Sequence, residues 1–250
     1  QKINLNLFSP YIYIIMNTTT NTNYIFGDIH SKIKDLPDNS VDFIYTSPPF
    51  GITEAKWDKP LDWKMLFPEM WRVLKPNGVV ALYSTQRFTY ELLKYEVPKY
   101  HYTWIKSNST GFFQAKKQPL RNTEEILIYY KKQPTYNPQM VGTKWYPKIY
   151  KKMIDKEEHF GRRTNITKTT ISKTEGHFGH YPTTAKSWKV RRKGGGITRD
   201  DENIDYFIKT YTNENDTILD MTCCNTIVGD RATLHKRNYI GIEIREFEVK

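Results

Sequence analysis

Cysteine is nearly missing from this sequence of 250 residues: there are two, and they are adjacent, Cys223 and Cys224. That excludes a disulfide framework and a cysteine-based zinc pattern, and points to a reducing, intracellular setting. Long apolar runs are missing too. The longest near the N-terminus, Tyr11 to Met16, is far too short to span a bilayer and carries no cleavage-site pattern, so no membrane partner is expected. Acidic residues are in deficit, 27 Asp and Glu against 38 Lys and Arg, for a formal charge of +11. Such a balance suggests a polyanionic partner, nucleic acid before membrane, with a merely soluble basic protein as the plainer alternative.

Short apolar runs and aromatic residues are plentiful. Tyr24-Ile25-Phe26 reads as a strand ending at Gly27-Asp28; Ile29, Ile33 and Leu36 have helical spacing, and Pro37-Asp38-Asn39-Ser40 closes that helix. Val41–Tyr45 follows as a strand, so the opening β-α-β implies a parallel pair with a right-handed crossover. Trp63, Leu66, Phe67, Met70, Val73 and Leu74 mark one helical face, with Pro68 as a kink or as the start. Val79–Tyr83 is another buried strand, Phe88 and Leu92 suggest a helix, and Tyr100–Ile105 and Ile126–Tyr130 alternate as strands.

From Lys131 to Arg199 the character changes. Lys148, Lys151 and Lys152 are interleaved with Trp145, Tyr146 and Tyr150, a composition that can follow phosphates and stack on bases. A solvated, flexible insertion is the plainer reading. Helical spacing returns at Ile204, Phe207, Ile208 and Tyr211. The expected organisation is α/β with helices on both faces of the sheet. It divides into a flexible or non-native segment over 1–23, a first half over 24–130, a basic insertion over 131–199 and a second half over 200–250. The polar stretch Asn17–Asn23 is expected to be loosely packed.

Two loops carry the candidate chemistry. Strand Val41–Tyr45 runs into Thr46-Ser47-Pro48-Pro49-Phe50, where two prolines fix φ twice and remove two backbone donors. The Ser47 and Pro48 carbonyls and the Ser47 hydroxyl are then free of a ladder, beside the Phe50 ring. Such an edge could hold a flat heterocycle with an exocyclic amine, or it could be a stiff loop. The second loop follows strand Thr217–Leu219 and Asp220, spans Met221 to Gly229, and leads through a helix to strand Tyr239–Glu243. Glu243, 23 residues beyond Asp220, could accept hydrogen bonds from the hydroxyls of a ribose. Glycines are expected in a loop so close to a ligand, yet Cys224 and Thr226 stand there, and on these residues alone a purely structural unit is an equal alternative.

Taken together, the two loops make the chain resemble the S-adenosylmethionine-dependent DNA amino-methyltransferases, at motif level over Tyr24–Tyr130 and Tyr181–Ile244. Thr46-Ser47-Pro48-Pro49-Phe50 is similar to that family's catalytic motif, an Asp, Ser or Asn followed by Pro-Pro and an aromatic residue. Gly27-Asp28 looks like its position near the cofactor adenine, Leu219-Asp220 to Gly229 like its cofactor loop, and Gly241-Ile242-Glu243 like its ribose-binding acid. Tyr181-Pro182-Thr183 looks like a degraded His-Pro-Thr segment. The catalytic motif precedes the cofactor loop, the permuted order of the family's β group, which places target recognition between the halves. Phe112, Ala115–Lys117, Pro119–Arg121 and Pro134–Pro138 look like methylases of phages and large DNA viruses. The sequence departs from the family's Asp-Pro-Phe-x-Gly-x-Gly loop at Met221, Thr222, Cys224 and Thr226, and Ser187–Gly196 interrupts the usual path from Thr183 into the next helix.

The resemblance implies a Rossmann-like methyltransferase sheet with an inserted target-recognition region, S-adenosylmethionine as cofactor and double-stranded DNA as partner. The setting it implies is restriction-modification, by a monomer or homodimer without a metal. Catalysis falls to Ser47, Pro48, Pro49 and Phe50, and cofactor binding to Asp28, Asp220, Thr222, Cys224, Thr226, Gly229, Glu243 and Thr183. The target base would be flipped from the stack, with Phe50 stacked on it and Ser47 and the Pro48 carbonyl accepting from its amine. Catalysis is then mainly positioning and electrostatics, with no covalent enzyme intermediate. In this family Ser-Pro-Pro leans towards N4-cytosine over N6-adenine. The alternative raised by Cys224 and Thr226 is a DNA-binding protein on a decayed methyltransferase fold with weak or no turnover; methylation of RNA or protein ranks lower.

Overall fold

The computed structural model describes residues 12–17, 20–153, 158–159, 162–163, 166–193 and 196–246. The first part of the chain forms β1 (Ile12–Asn17), β2 (Thr20–Phe26), α1 (Ile29–Lys32), β3 (Val41–Thr46), α2 (Trp63–Val73), β4 (Leu74–Ser84), α3 (Gln86–Leu92), β5 (Tyr100–Thr110) and β6 (Arg121–Tyr129). The basic stretch follows as β7 (Val141–Met153), β8 (Glu158–His159), β9 (Arg162–Arg163), β10 (Ile166–His180), β11 (Ala185–Trp188), β12 (Val190–Lys193) and β13 (Gly196–Arg199). The last elements are α4 (Asp201–Tyr211), β14 (Thr217–Asp220), α5 (Ile227–Leu234) and β15 (Asn238–Glu243). Two compact units result: Pro138–Thr183, and the described residues on either side of it.

The larger unit is built on a nine-stranded sheet in the order β1-β2-β15-β14-β3-β4-β6-β5-β11. Alternation along each strand explains why helices cover both faces. Val79, Ala81 and Tyr83 point into one core with Phe207 and Ile208 of α4 and Val228 and Ala232 of α5. Val80 and Leu82 point into the other, with Leu66 and Met70 of α2 and Phe88 and Leu92 of α3. The same switch separates Ile126 and Ile128 from Leu127 and Tyr129 on β6. A side chain such as Leu66, fully out of solvent, contributes roughly 1.5–3 kcal/mol by its burial. Helix α2 starts at Trp63, ahead of Pro68, because the Asp62 carboxylate caps it by accepting from the Met65 amide at 3.2 Å.

Two expectations are corrected by the sheet. β2 and β3 run parallel but are not neighbours: β15 and β14, supplied by the end of the chain, lie between them. The residues of Asn17–Asn23 from Thr20 on are not loose but belong to β2, with Thr22 and Asn23 opposite Tyr239 and Ile240, and with Thr20 and Thr22 buried. The rest of the N-terminal segment, residues 1–11 with 18 and 19, lies outside the described residues.

The smaller unit is an antiparallel ribbon of β7 and β10, with Trp145 opposite Phe178, Tyr146 opposite His177 and Ile149 opposite Ile171. Alternation of Tyr and Lys with apolar residues produces it; the period is short and easily lost among so many cations. The register breaks between Ile171 and Gly176, where the Ser172 hydroxyl accepts from the Glu175 amide at 2.9 Å. A Cβ on Gly176 would stand 2.6 Å from the Trp145 ring, so only glycine lets that ring lie over the strand. Among the described residues, no helix is long and apolar enough to cross a membrane.

Candidate active site

The chain departs from β3 and β14 in opposite directions across the sheet, through α2 to β4 and through α5 to β15. Above the carboxyl ends of two such neighbours a crevice opens, the usual ligand position in a sheet of this kind. Thr46 ends β3 and Thr222 follows β14; their hydroxyls bond across the crevice at 3.2 Å. That contact ties the proline turn to the acidic loop.

On the β3 side, Ser47 is half-buried, Pro48 is buried, and Pro49 and Phe50 are half-buried. The Ser47 hydroxyl has no hydrogen-bond partner among the described residues. Phe50 stacks on Phe88 of α3, centroids 5.2 Å apart, and Phe88 in turn meets Trp63 of α2 at 5.6 Å. The aromatic wall of the turn is therefore held by two helices. Beyond it, the buried Asp58 carboxylate accepts from the amides of Gly51, Ile52 and Thr53 at 2.7, 3.0 and 2.7 Å and from the Thr53 hydroxyl at 2.7 Å. Burial raises its pKa, but these hydrogen bonds outweigh that and hold it below the ordinary value. Asp58 fixes the loop that leaves the proline turn.

On the β14 side, Asp220 is 4% exposed and accepts from the Thr222 amide at 3.2 Å. Burial pushes its carboxyl up to about 7, against the opposing effects of that hydrogen bond and of the Arg199 charge. Cys224 is exposed and adopts φ 61°, a left-handed conformation that favours glycine. Its amide donates to Glu243 Oε2 at 2.8 Å, and the Arg245 amide to Oε1 at 3.3 Å, so the loop is organised around the acid at the end of β15. The Gly27 amide donates to the Glu243 carbonyl at 2.9 Å, which brings exposed Asp28 to the same edge. Asp28 accepts from the His30 amide at 3.0 Å and pairs with its Nδ1 at 2.7 Å. Its pKa is lowered, first by the backbone bond and then by the imidazole. His30 Nε2 accepts from the Asp62 amide at 3.0 Å, so Nδ1 is the ring nitrogen that donates to Asp28.

Seven of the expected polar and aromatic positions thus gather at one sheet edge: Ser47, Phe50, Asp220, Thr222, Cys224, Glu243 and Asp28. Two others are engaged in the helix. Thr226 precedes α5 and its hydroxyl bonds Asp230 at 3.0 Å, while Gly229 lets α5 close on the sheet, since a Cβ there would stand 2.3 Å from the Tyr24 hydroxyl. Thr183 is the last residue of the ribbon unit, and the residues that lead into α4 are Arg199 and Asp200, at the end of the β12–β13 hairpin. Within the interrupting segment Ser187–Gly196, Ser187 and Trp188 end β11 and Val190–Lys193 forms the first strand of that hairpin. Sequence reasoning missed Asp58, His30 and Arg199. The Asp58 partners are backbone amides, which leave no side-chain pattern; Arg199 was legible only as the residue before an Asp-capped helix that leads to Asp220.

The fold is of the mixed α/β class, a large central sheet with helices on both faces, and comparison supplies the family. The chain belongs to the DNA methylase family, whose pattern matches residues 41–250. Methylases of this family take their methyl group from S-adenosylmethionine. The type II methyltransferase M.BamHI of Bacillus amyloliquefaciens is 24% identical over 253 aligned positions, 96% of this chain and 57% of that protein, so this chain spans little more than half of the relative's length. Among solved structures, the PvuII DNA methyltransferase, described as cytosine-N4-specific, superposes with a TM-score of 0.62 at 14% identity over 91% of this chain and 83% of that one. The M1.HpyAVI–SAM complex does so at 0.55 and 20% identity, over 90% and 94%. At these identities the likeness shows the fold.

Proposed function

We propose that this chain methylates the exocyclic amine of a base in double-stranded DNA, with cytosine N4 favoured over adenine N6. The observation that carries the reading is the Thr46–Thr222 contact, which sets an open serine hydroxyl and a proline turn beside the buried Asp220 and the Glu243 carboxylate. The residues fit S-adenosylmethionine. Glu243 has lone pairs beyond those used by the Cys224 and Arg245 amides and would accept from ribose hydroxyls; exposed Asp28 stands at the same edge. Thr222 and Asp220 would line the floor between them. When bound, the cofactor supplies an electrophilic methyl group.

The chain's own part is positioning. A flipped base would enter beside Phe50, whose ring is already braced by Phe88. Ser47 Oγ and the Pro48 carbonyl would accept from the amine hydrogens, which aims the nitrogen lone pair away from them and into the crevice. Pro48 and Pro49 keep that edge from relaxing into the ladder, and Asp58 keeps the following loop from falling across it. No nucleophile attacks the base: Cys223 is buried with its thiol pKa pushed far up by burial, and it packs the loop. Target recognition is assigned to the ribbon unit, whose β7–β10 pair has the form that a major groove admits and whose aromatic and cationic residues suit bases and phosphates. The permuted chain order supports the same assignment.

A second reading, a DNA-binding protein on this fold with little turnover, is favoured by one observation, the non-glycine residue Cys224 at φ 61° in the cofactor loop. Calorimetric titration with S-adenosylmethionine separates the two. The methylase reading expects saturable binding, and no heat of binding at millimolar cofactor would leave only the second.

A further inference from the structure

One half-buried cation that the reading above does not use has no acid within ion-pair distance among the described residues. Arg199 lies with its guanidinium carbon 3.7 Å over the ring of Tyr83, and its Nε is out of solvent with no hydrogen-bond partner. The platform beneath is rigid: the Tyr83 hydroxyl bonds the Tyr45 hydroxyl at 2.8 Å and the Asn203 side chain, in a fully buried group. The acids around Arg199 are committed elsewhere, and Asp220, on which its charge acts, accepts from the Thr222 amide. Asp200 accepts from the Lys189 and Asn203 amides, Asp201 pairs with Arg191 at 3.1 Å, and Glu124 pairs with Lys106 at 2.9 Å. No carboxylate stands within ion-pair distance of Arg199 among the described residues. A guanidinium nitrogen cut off from water without a partner is costly, and the planar fork stacked on an aromatic face is suited to a carboxylate or phosphate.

Order along the sheet edge says which anion. Glu243 ends β15, Asp220 ends β14, Ser47 follows β3, and Tyr83 with Arg199 above it belongs to β4, in that order across the sheet. A cofactor with its ribose at Glu243 and its methyl group near Ser47 must send its amino-acid end towards β4. We propose that Arg199 binds the carboxylate of the cofactor's amino-acid end, as a positioning residue that sets where along the crevice the sulfonium stops. The inference rests on the methylase reading. A phosphate oxygen of DNA has similar chemistry but sits on a bulky backbone, whereas the Arg199 side chain is half enclosed at the floor of the site.

Calorimetry with two ligands tests this. S-adenosylhomocysteine has the amino-acid end and 5′-methylthioadenosine lacks it, so their affinity ratio isolates the carboxylate end. Arg199→Gln should weaken S-adenosylhomocysteine by about 10- to 100-fold, the loss expected for a charge-assisted hydrogen bond to a carboxylate, and leave 5′-methylthioadenosine within about twofold. Arg199→Lys, which keeps the charge over Tyr83, should fall between, and it serves if the Gln variant does not fold. Equal losses for both ligands would mean a structural role, and an unchanged ratio with weaker duplex-DNA binding would assign Arg199 to phosphate; either result overturns the proposal. If neither ligand binds the wild-type chain, the cofactor reading itself fails, a distinct outcome.

Discussion

At the scale of single residues, the site separates groups that face chemistry from groups that hold them. The Ser47 hydroxyl has no hydrogen-bond partner among the described residues and lies half-buried, so removing it takes no hydrogen bond from them. Ser47→Ala is expected to slow single-turnover methyl transfer by roughly 10- to 100-fold, with a melting shift below about 2 °C. A large loss of melting temperature with intact transfer would assign the residue to structure. Cys224 is the opposite case, a side chain in a conformation that suits none. Cys224→Gly should gain about 0.5–1 kcal/mol in urea denaturation and tighten the cofactor, since the loop no longer holds a Cβ at positive φ. Destabilisation in that variant would show that the thiol makes a contact worth more than the strain. Both residues stood out in the sequence, Ser47 from two adjacent prolines after an apolar run and Cys224 from a missing glycine. His30 and Arg199 did not, because their partners are a backbone amide and an aromatic face far away in sequence.

At the scale of elements, the loop after the proline turn is the clearest dependency. Asp58 gathers three consecutive amides and a hydroxyl, all within Gly51–Thr53. Asp58→Ala is expected to cost about 1.5–3 kcal/mol and to speed amide hydrogen exchange at Gly51, Ile52 and Thr53. Unchanged exchange at those amides would contradict the anchoring role. The strands of this region were legible from local pattern: Val41–Thr46 and Val79–Tyr83 are apolar runs bounded by turn residues. Their neighbours were not. β2 and β3 read as an adjacent pair because they are consecutive in the chain, and only the return of β14 and β15 from the C-terminal end separates them. The ribbon of β7 and β10 was obscured in a similar way, since its faces differ by Tyr and Lys against Trp and Ile, and cations dominate the composition.

At the scale of the whole molecule, one buried carboxyl couples the site to stability. Asp220 holds a folded-state value of about 7 against an ordinary 3.8, set first by burial. Between those values the folded chain retains a proton that the unfolded chain has released, so stability declines as pH rises from 3.8 to about 7. Asp220→Asn should flatten that decline in urea midpoints measured across the range; an identical slope in the variant would place the titration elsewhere. The excess of 38 Lys and Arg over 27 acids suits the duplex partner proposed above, and the family suits the proposed methyl transfer. The direct test is to incubate the chain with unmethylated duplex DNA and labelled S-adenosylmethionine, digest to nucleosides and identify the labelled product by mass spectrometry. The account predicts label on an exocyclic amine, as N4-methyldeoxycytidine before N6-methyldeoxyadenosine. Label on a ring carbon, or none in DNA while the cofactor binds, would contradict it.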